Sequence, residues 1–163
     1  MEIIASKTKV KSLTQEEIVD LLCTAITDSS QYLYLHNPKK YYETYCKVDR
    51  NDTLEDRCAK VLLAGGKIRI TDYDADGIGY AGNDVPYKVG DEDEVTYTVS
   101  LDNILSALEN AANGEFIFCG MDNEAEYVRK AFEDFAKGEE GDLDYTEADT
   151  LMQIILFGEI IYG

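Results

Sequence analysis

The sequence predicts an α+β fold, and two kinds of pattern indicate it. Apolar residues recur at helical spacing in five separate segments, each of which begins at a side chain suited to cap a helix. Between the second and the third of these, Lys67 to Thr71 and Glu94 to Val99 alternate apolar and polar residues as strands do. A chain of 163 residues has the size of one domain. We therefore expect about five helices and a small antiparallel sheet in a single domain, residues 1–163.

The N-terminal residues predict a strand and then the first helix. Residues from Lys7 to Lys11 alternate with period two, which indicates a strand whose lysines point to solvent. Thr14 and Glu17 match a capping box, in which each side chain accepts a hydrogen bond from the other residue's backbone amide. An apolar stripe follows at Ile18, Leu21, Leu22, Ala25 and Ile26. These features predict a helix from Gln15 to Thr27.

The next part of the chain contains one undecided segment and one clear helix. Residues 29–50 are rich in tyrosine and interrupted by Pro38, so their spacing does not decide between helix and strand. Thr53 and Asp56 then form a second capping box, and Gly65-Gly66 is a typical helix stop. The second helix is predicted between these signals.

The two alternating segments should form the centre of the sheet. Residues 67–71 and 94–99 are expected to pair antiparallel, with the Gly- and Asp-rich residues 72–93 as a long hairpin connection. Glu159 to Tyr162 indicate a short strand at the C-terminal end, so the sheet is expected to gain a strand at each end of the chain.

Three helices are predicted in the last third of the chain. Their starts are Ser100, Asp122 or Asn123, and Thr146 with Asp149, and their stops are Asn113-Gly114, Gly138 and Gly158. The last of them is apolar on nearly every side, so we expect it at the centre of the core.

Charge is distributed unevenly along the chain. Residues 1–70 carry 10 acidic and 11 basic side chains, whereas residues 71–163 carry 23 acidic and 4 basic ones, which gives net charges of +1 and −19. No basic cluster beyond Lys39-Lys40 is visible, so direct nucleic-acid binding is not expected. A basic partner protein, itself nucleic-acid-binding, is the natural inference. The alternative is that the acidity only keeps the protein soluble.

Acidic clusters in the second part are the candidate partner-binding residues. They are Asp91, Glu92, Asp93, Glu94, Glu124, Glu126, Glu133, Asp134, Glu139, Glu140, Asp142 and Asp144. Carboxylates at suitable separations, with few cations between them, can stand in for phosphates in a groove lined by Lys and Arg. This is nucleic-acid mimicry. The alternative is that the runs are solvated loops and helix faces.

One local motif resembles the first half of a calcium loop. Asp72, Asp74 and Asp76 alternate and are followed by Gly77, which would allow the sharp turn. The second half does not match, because Asn83 occupies the position of the bidentate glutamate. A nonstandard calcium site remains one interpretation, and a simple turn built from Asp and Gly is the other.

Catalytic, metal and membrane signals are weak. The four cysteines contain no C-x-x-C pair, which argues against zinc and iron–sulfur sites and favours reduced thiols. His36 with Cys46 or Cys119 is the one enzymatic alternative, but no motif accompanies it. We therefore predict no enzymatic activity, no cofactor other than calcium, no membrane span, and a cytoplasmic location.

Packing motifs along most of the chain resemble those of a known group of proteins. The motifs are Glu16 to Leu22, Leu62 to Gly66 before Ile68 to Ile70, Val99 to Leu105, and Ala148 to Gly163. They are similar to a family of uncharacterised small acidic proteins carried by bacterial phages and integrative elements. The resemblance implies no catalytic residues. It implies a mobile-element setting, in which compact acidic proteins often block defence or DNA-binding proteins of the host.

Overall fold

The computed structural model describes residues 10–28, 30–74, 85–91, 94–114, 117–118, 122–138 and 143–160. Within these ranges the chain forms six α-helices, a four-stranded antiparallel sheet and a separate pair of short parallel strands. The α+β prediction is confirmed, with one helix more than expected. The strand predicted from Lys7 to Lys11 lies almost entirely outside the described residues.

The first helical segment has the predicted bounds but two geometries. Helix α1 spans Gln15–Leu22 and continues as a π-helical turn over Cys23–Thr27. Its predicted capping box is present, because Thr14 and Glu17 each accept a hydrogen bond from the other's backbone amide. At the far end, the Thr27 hydroxyl donates to Glu55 Oε1 at 2.5 Å, which ties the π turn to a later helix.

The tyrosine-rich segment that the sequence left undecided contains a strand and a helix. Strand β1 spans Leu33–Leu35, and helix α2 spans Lys39–Tyr45. The buried Tyr42 hydroxyl donates to Asp52 Oδ2 at 2.6 Å and accepts from the Asp49 amide at 2.7 Å. This side chain therefore fixes α2 to the loop that precedes the next helix.

Helix α3 and the strand after it follow the sequence prediction. Helix α3 spans Leu54–Leu63 behind the predicted Thr53 and Asp56 capping box, and strand β2 spans Lys67–Asp72. The Asp52 side chain also accepts a hydrogen bond from Lys60 at 2.5 Å, so this one carboxylate joins α2 to α3.

The four-stranded sheet has the order β1-β2-β4-β3, with every neighbouring pair antiparallel. Strand β4 spans Val95–Ser100 and pairs with β2 as predicted. The segment 72–93, predicted as a long hairpin connection, contains an additional strand, β3, Tyr87–Val89, which pairs with β4. Tyr87, Lys88 and Val89 alternate apolar and polar residues, but a run of three between Pro86 and Gly90 is too short to indicate a strand from its pattern alone.

The last three helices pack against one another, and α4 and α6 also contact strand β4 of the sheet. Helices α4, α5 and α6 span Leu101–Ala112, Asp122–Lys137 and Tyr145–Phe157. The start predicted for α6 at Thr146 with Asp149 is wrong. The helix begins earlier because Asp144 caps it, accepting from the Glu147 amide, while the Glu147 side chain accepts from the Asp144 amide. Ten of the 13 residues of α6 are buried, so its central position is confirmed.

The C-terminal strand exists but joins a different partner from the one predicted. Strand β6, Glu159–Ile160, pairs in parallel with β5, Ile117–Phe118, and not with the four-stranded sheet. Gly158 ends α6 with φ of 74°, a left-handed conformation that turns the chain into β6 at once.

One cluster of buried apolar side chains holds these elements together. On one side of the sheet, Tyr97 of β4 packs edge-to-face on Phe157 of α6, with ring centroids 5.6 Å apart. On β2 the buried Ile68 and Ile70 alternate with the exposed Lys67 and Arg69. The other side of the sheet, which we call the open side, is polar and exposed at Lys67 and Arg69, whereas Thr71 on the same side is buried.

Candidate binding surfaces

We call residues 1–70 the N-terminal region and residues 71–163 the acidic region.

The first predicted acidic cluster lies at the β3–β4 turn. Asp91 and Glu94 are both exposed there, and the Gly90 amide donates to the Glu94 carbonyl at 2.8 Å, which closes the turn. Glu92 and Asp93 lie outside the described residues. The turn presents at least two carboxylates beside the sheet.

The predicted acidic residues Glu133 and Asp134 on α5 form ion pairs with basic residues of the same helix. Glu133 accepts from Arg129 at 2.9 Å and from Lys137 at 2.7 Å, and Asp134 accepts from Lys130 at 3.0 Å. Hydrogen bonds from Lys137 and Arg129 lower the pKa of Glu133 to about 2. This half of α5 is therefore nearly neutral as a surface.

The remaining predicted partner-binding residues are only partly described. Glu124 and Glu126 belong to α5, but their side chains are outside the described part of the structure. Glu139, Glu140 and Asp142 lie entirely outside the described residues. Asp144 is exposed and accepts the Glu147 amide, so one of its oxygens stabilises the start of α6.

Helix α4 carries two acidic residues that the sequence analysis did not single out. Asp102 and Glu109 are exposed and seven residues apart, and the exposed Ser106 lies between them on the same helical stripe. Neither carboxylate has a basic group within 4 Å among the described residues. The sequence does contain a signal for this acidic stripe, because Asp102, Ser106 and Glu109 have i, i+4, i+7 spacing opposite the apolar stripe of the helix.

The predicted calcium residues are placed in different environments. Asp72 ends β2 and is fully buried, and its Oδ1 accepts from the Asp74 amide at 2.8 Å. Asp74 is exposed, and Asp76 lies outside the described residues. Within the described ranges, no group of three or more His, Cys, Asp or Glu side chains could hold a metal ion. The hydrogen bond from Asp74 to Asp72 is the one expected of a simple Asp-based turn.

The His36 ring forms a hydrogen bond with a threonine of the sheet. Its Nε2 lies 2.6 Å from the Thr71 hydroxyl, which in turn lies 2.7 Å from the Thr96 hydroxyl. The thiol of Cys58 donates to the His36 carbonyl at 3.7 Å, but burial raises the pKa of this thiol to about 12. Burial also raises the pKa of Cys46, the first of the two predicted partners of His36. Protonated thiols are weak nucleophiles, and Cys119 lies outside the described residues.

A basic pocket lies between α2 and the open side of the sheet. Its volume is about 690 Å³, and it is lined by His36, Asn37, Pro38, Lys39, Lys40, Tyr41, Glu43, Lys67, Ile68, Arg69 and Thr98. The lining contains four of the chain's 15 Lys and Arg residues but only one of its 33 Asp and Glu residues. We call this feature the basic pocket. In sequence the cations are separated, and the fold brings them together.

Two elements position the cations of the basic pocket. Lys67 and Arg69 are two residues apart on β2, so both side chains project from the open side of the sheet. The His36 amide donates to the Arg69 carbonyl at 3.0 Å, which brings the chain leading into α2 alongside them. Burial and the nearby Arg69 charge lower the pKa of His36, so this ring is neutral near pH 7.

Comparisons with known proteins add no further constraint. No protein-family model, curated protein or solved structure matches this chain. The resemblance to small acidic phage proteins therefore stays a prediction. Among the helices of the described residues, none combines the length and apolar character needed to cross a membrane.

Proposed function

We propose that this protein is a non-enzymatic binding protein whose acidic region engages a basic, nucleic-acid-binding partner protein. The observation that carries the proposal is a set of exposed carboxylates without an ion-pair partner among the described residues. They are Asp91, Glu94, Asp102, Glu109 and Asp144. A carboxylate without its own cation is available to a cation of another molecule, so these residues favour recognition of a basic surface.

Helix α4 offers the most regular part of this acidic surface. Asp102 and Glu109 are seven residues apart, which corresponds to about 10 Å along a helix, or about three nucleotide steps of one DNA strand. The opposite side of the helix is buried through Ile104, Leu108 and Ala111. The two carboxylates are therefore held on a rigid scaffold, and a rigid spacing supports nucleic-acid mimicry more than a flexible acidic loop would.

The same exposed carboxylates also promote solubility, and a partner experiment separates the two roles. Tagged protein is incubated with a bacterial lysate at low salt, eluted in steps of rising salt, and the released proteins are identified by mass spectrometry. We expect one nucleic-acid-binding protein to leave at moderate salt and to be displaced by added duplex DNA. Retention that is insensitive to salt, or retention of no specific protein, would contradict the proposal.

A pair of matched variants tests whether position matters more than total charge. The variant Asp102→Asn with Glu109→Gln should elute the partner at clearly lower salt, because it removes two unpaired carboxylates from α4. The control, Asp28→Asn with Glu16→Gln, removes the same charge from exposed positions of the N-terminal region outside the basic pocket. It should elute as the wild type does. Equal shifts in the two variants would mean that only net charge is sensed.

A further inference from the structure

The basic pocket has a charge opposite to that of the rest of the molecule. Lys39, Lys40, Lys67 and Arg69 line it together with Glu43, so the lining carries a net charge of +3 in a chain of net charge −18. None of the four cations lies within 4 Å of a carboxylate of the described residues. Like charges gathered in one cavity repel one another, so the pocket is more stable with an anion inside it.

The rest of the lining suits an organic molecule and not an inorganic anion alone. The exposed Tyr41 supplies apolar surface, while Asn37 and Thr98 supply an amide and a hydroxyl. Tyr41 is 37% exposed, and its ring stacks on that of Tyr45 with centroids 6.0 Å apart. A volume of about 690 Å³ lies within the usual range for small-molecule sites.

From these observations we propose that the basic pocket binds a small organic diphosphate of the nucleoside diphosphate class. The terminal phosphate of a nucleoside diphosphate carries about −1.5 to −2 charges near neutral pH and the inner phosphate about −1, so their sum of about −3 matches the charge of the lining. Arg69 and Lys67 contact the phosphates from β2, Lys39 and Lys40 contact them from α2, and the Tyr41 ring packs on the base. This inference does not depend on the proposed partner of the acidic region.

The first test is isothermal titration calorimetry of the full chain with ADP, AMP and inorganic pyrophosphate at low salt. ADP should bind, AMP should bind more weakly because it lacks one phosphate, and pyrophosphate should bind more weakly because it lacks the base. Absence of heat with ADP would overturn the proposal. Equal affinity for ADP and pyrophosphate would overturn the assignment to the nucleoside class.

Matched variants locate the site. The variant Lys67→Gln with Arg69→Gln should weaken ADP binding by about tenfold or more, because two charge-assisted contacts are lost. The control, Lys47→Gln with Arg50→Gln, removes the same charge from exposed residues outside the pocket lining and should leave ADP affinity nearly unchanged. Equal weakening in both variants would overturn the proposal. So would tighter binding of a poly-glutamate peptide than of ADP, because the pocket would then serve an acidic protein segment.

Discussion

The N-terminal region and the acidic region place their charges in opposite ways. In the N-terminal region, four cations converge on one pocket, although the region as a whole carries a net charge of only +1. In the acidic region, carboxylates with no ion pair to a described residue are spread over a turn, the exposed side of α4 and the start of α6. Net charge therefore predicts the negative surface of the acidic region, but it does not predict the basic pocket of the N-terminal region. Local placement decides what each region can bind.

The two regions also differ in how they use a paired carboxylate. In the N-terminal region, the Asp52 side chain is nearly buried and receives hydrogen bonds from Lys60 and Tyr42, which join three elements. In the acidic region, Glu133 is paired with Arg129 and Lys137 along one helix. The first pairing supports the wall of a pocket, whereas the second removes charge from a surface that would otherwise be acidic.

The largest expected effect tests whether the two regions fold as one unit. Phe157 of α6 packs on Tyr97, whose cross-strand neighbour Ile70 belongs to the N-terminal region. Phe157→Ala should lower the free energy of unfolding by about 3–5 kcal/mol, because it leaves a cavity beneath the sheet that joins the regions. Urea unfolding followed by far-UV circular dichroism and by tyrosine fluorescence measures this change.

The two signals should report a single shifted transition for the Phe157 variant. The control Tyr145→Ala alters a 60% exposed side chain of the same helix and should change stability by no more than about 0.5 kcal/mol. Two separated transitions, one of them unaffected by the loss of Phe157, would show that the regions are independent folding units.

The sequence predicted those helices and strands whose capping residues or apolar spacing lie within the element or directly beside it. The capping boxes at Thr14 and Thr53 are present as expected, and so is the central pairing of β2 with β4. Helix α6 shows the limit of this reasoning, because two overlapping pairs of residues fit a capping box. Asp144 with Glu147 forms the box, and the local sequence alone does not distinguish this pair from Thr146 with Asp149.

Elements and sites that depend on distant residues could not be predicted in this way. Helix α2 is fixed by the hydrogen bonds of Tyr42 to Asp52 and Asp49, and its own sequence has no clear period. The basic pocket likewise combines α2 residues with Lys67 and Arg69, which lie more than twenty residues further along the chain. Only the pairing of strands and helices brings such residues together.

A smaller effect concerns the pH dependence of stability in the acidic region. The pKa of Glu133 is about 2 in the folded protein, against a usual value of 4.5, because Lys137 and Arg129 favour its charged form. A lowered pKa contributes stability that is fully present above pH 4.5 and is lost as the pH falls from 4.5 towards 2. Glu133→Gln should therefore flatten the decline of the free energy of unfolding in this window.

Urea unfolding at several pH values measures the slope, and carboxyl carbon NMR measures the titration of Glu133 directly. Glu109→Gln is the matched control, because Glu109 is exposed on α4 and has no ion pair among the described residues. It should retain the wild-type slope between pH 4.5 and 2. If Glu133 titrates near its usual pKa of 4.5, the helix is not neutralised in solution and α5 rejoins the acidic surface.

The smallest expected effect concerns calcium at the boundary between the two regions. Asp72 is fully buried at the end of β2, and its Oδ1 already accepts the Asp74 amide, so this carboxylate is directed into a turn. Millimolar calcium should therefore raise the melting temperature no more than an equal concentration of magnesium does. A specific ligand of the folded state would raise it further, in proportion to the logarithm of its concentration. A calcium-specific rise that Asp74→Asn abolishes would establish a site at Asp72, Asp74 and Asp76, and the acidic surface would then begin with a metal-bound loop.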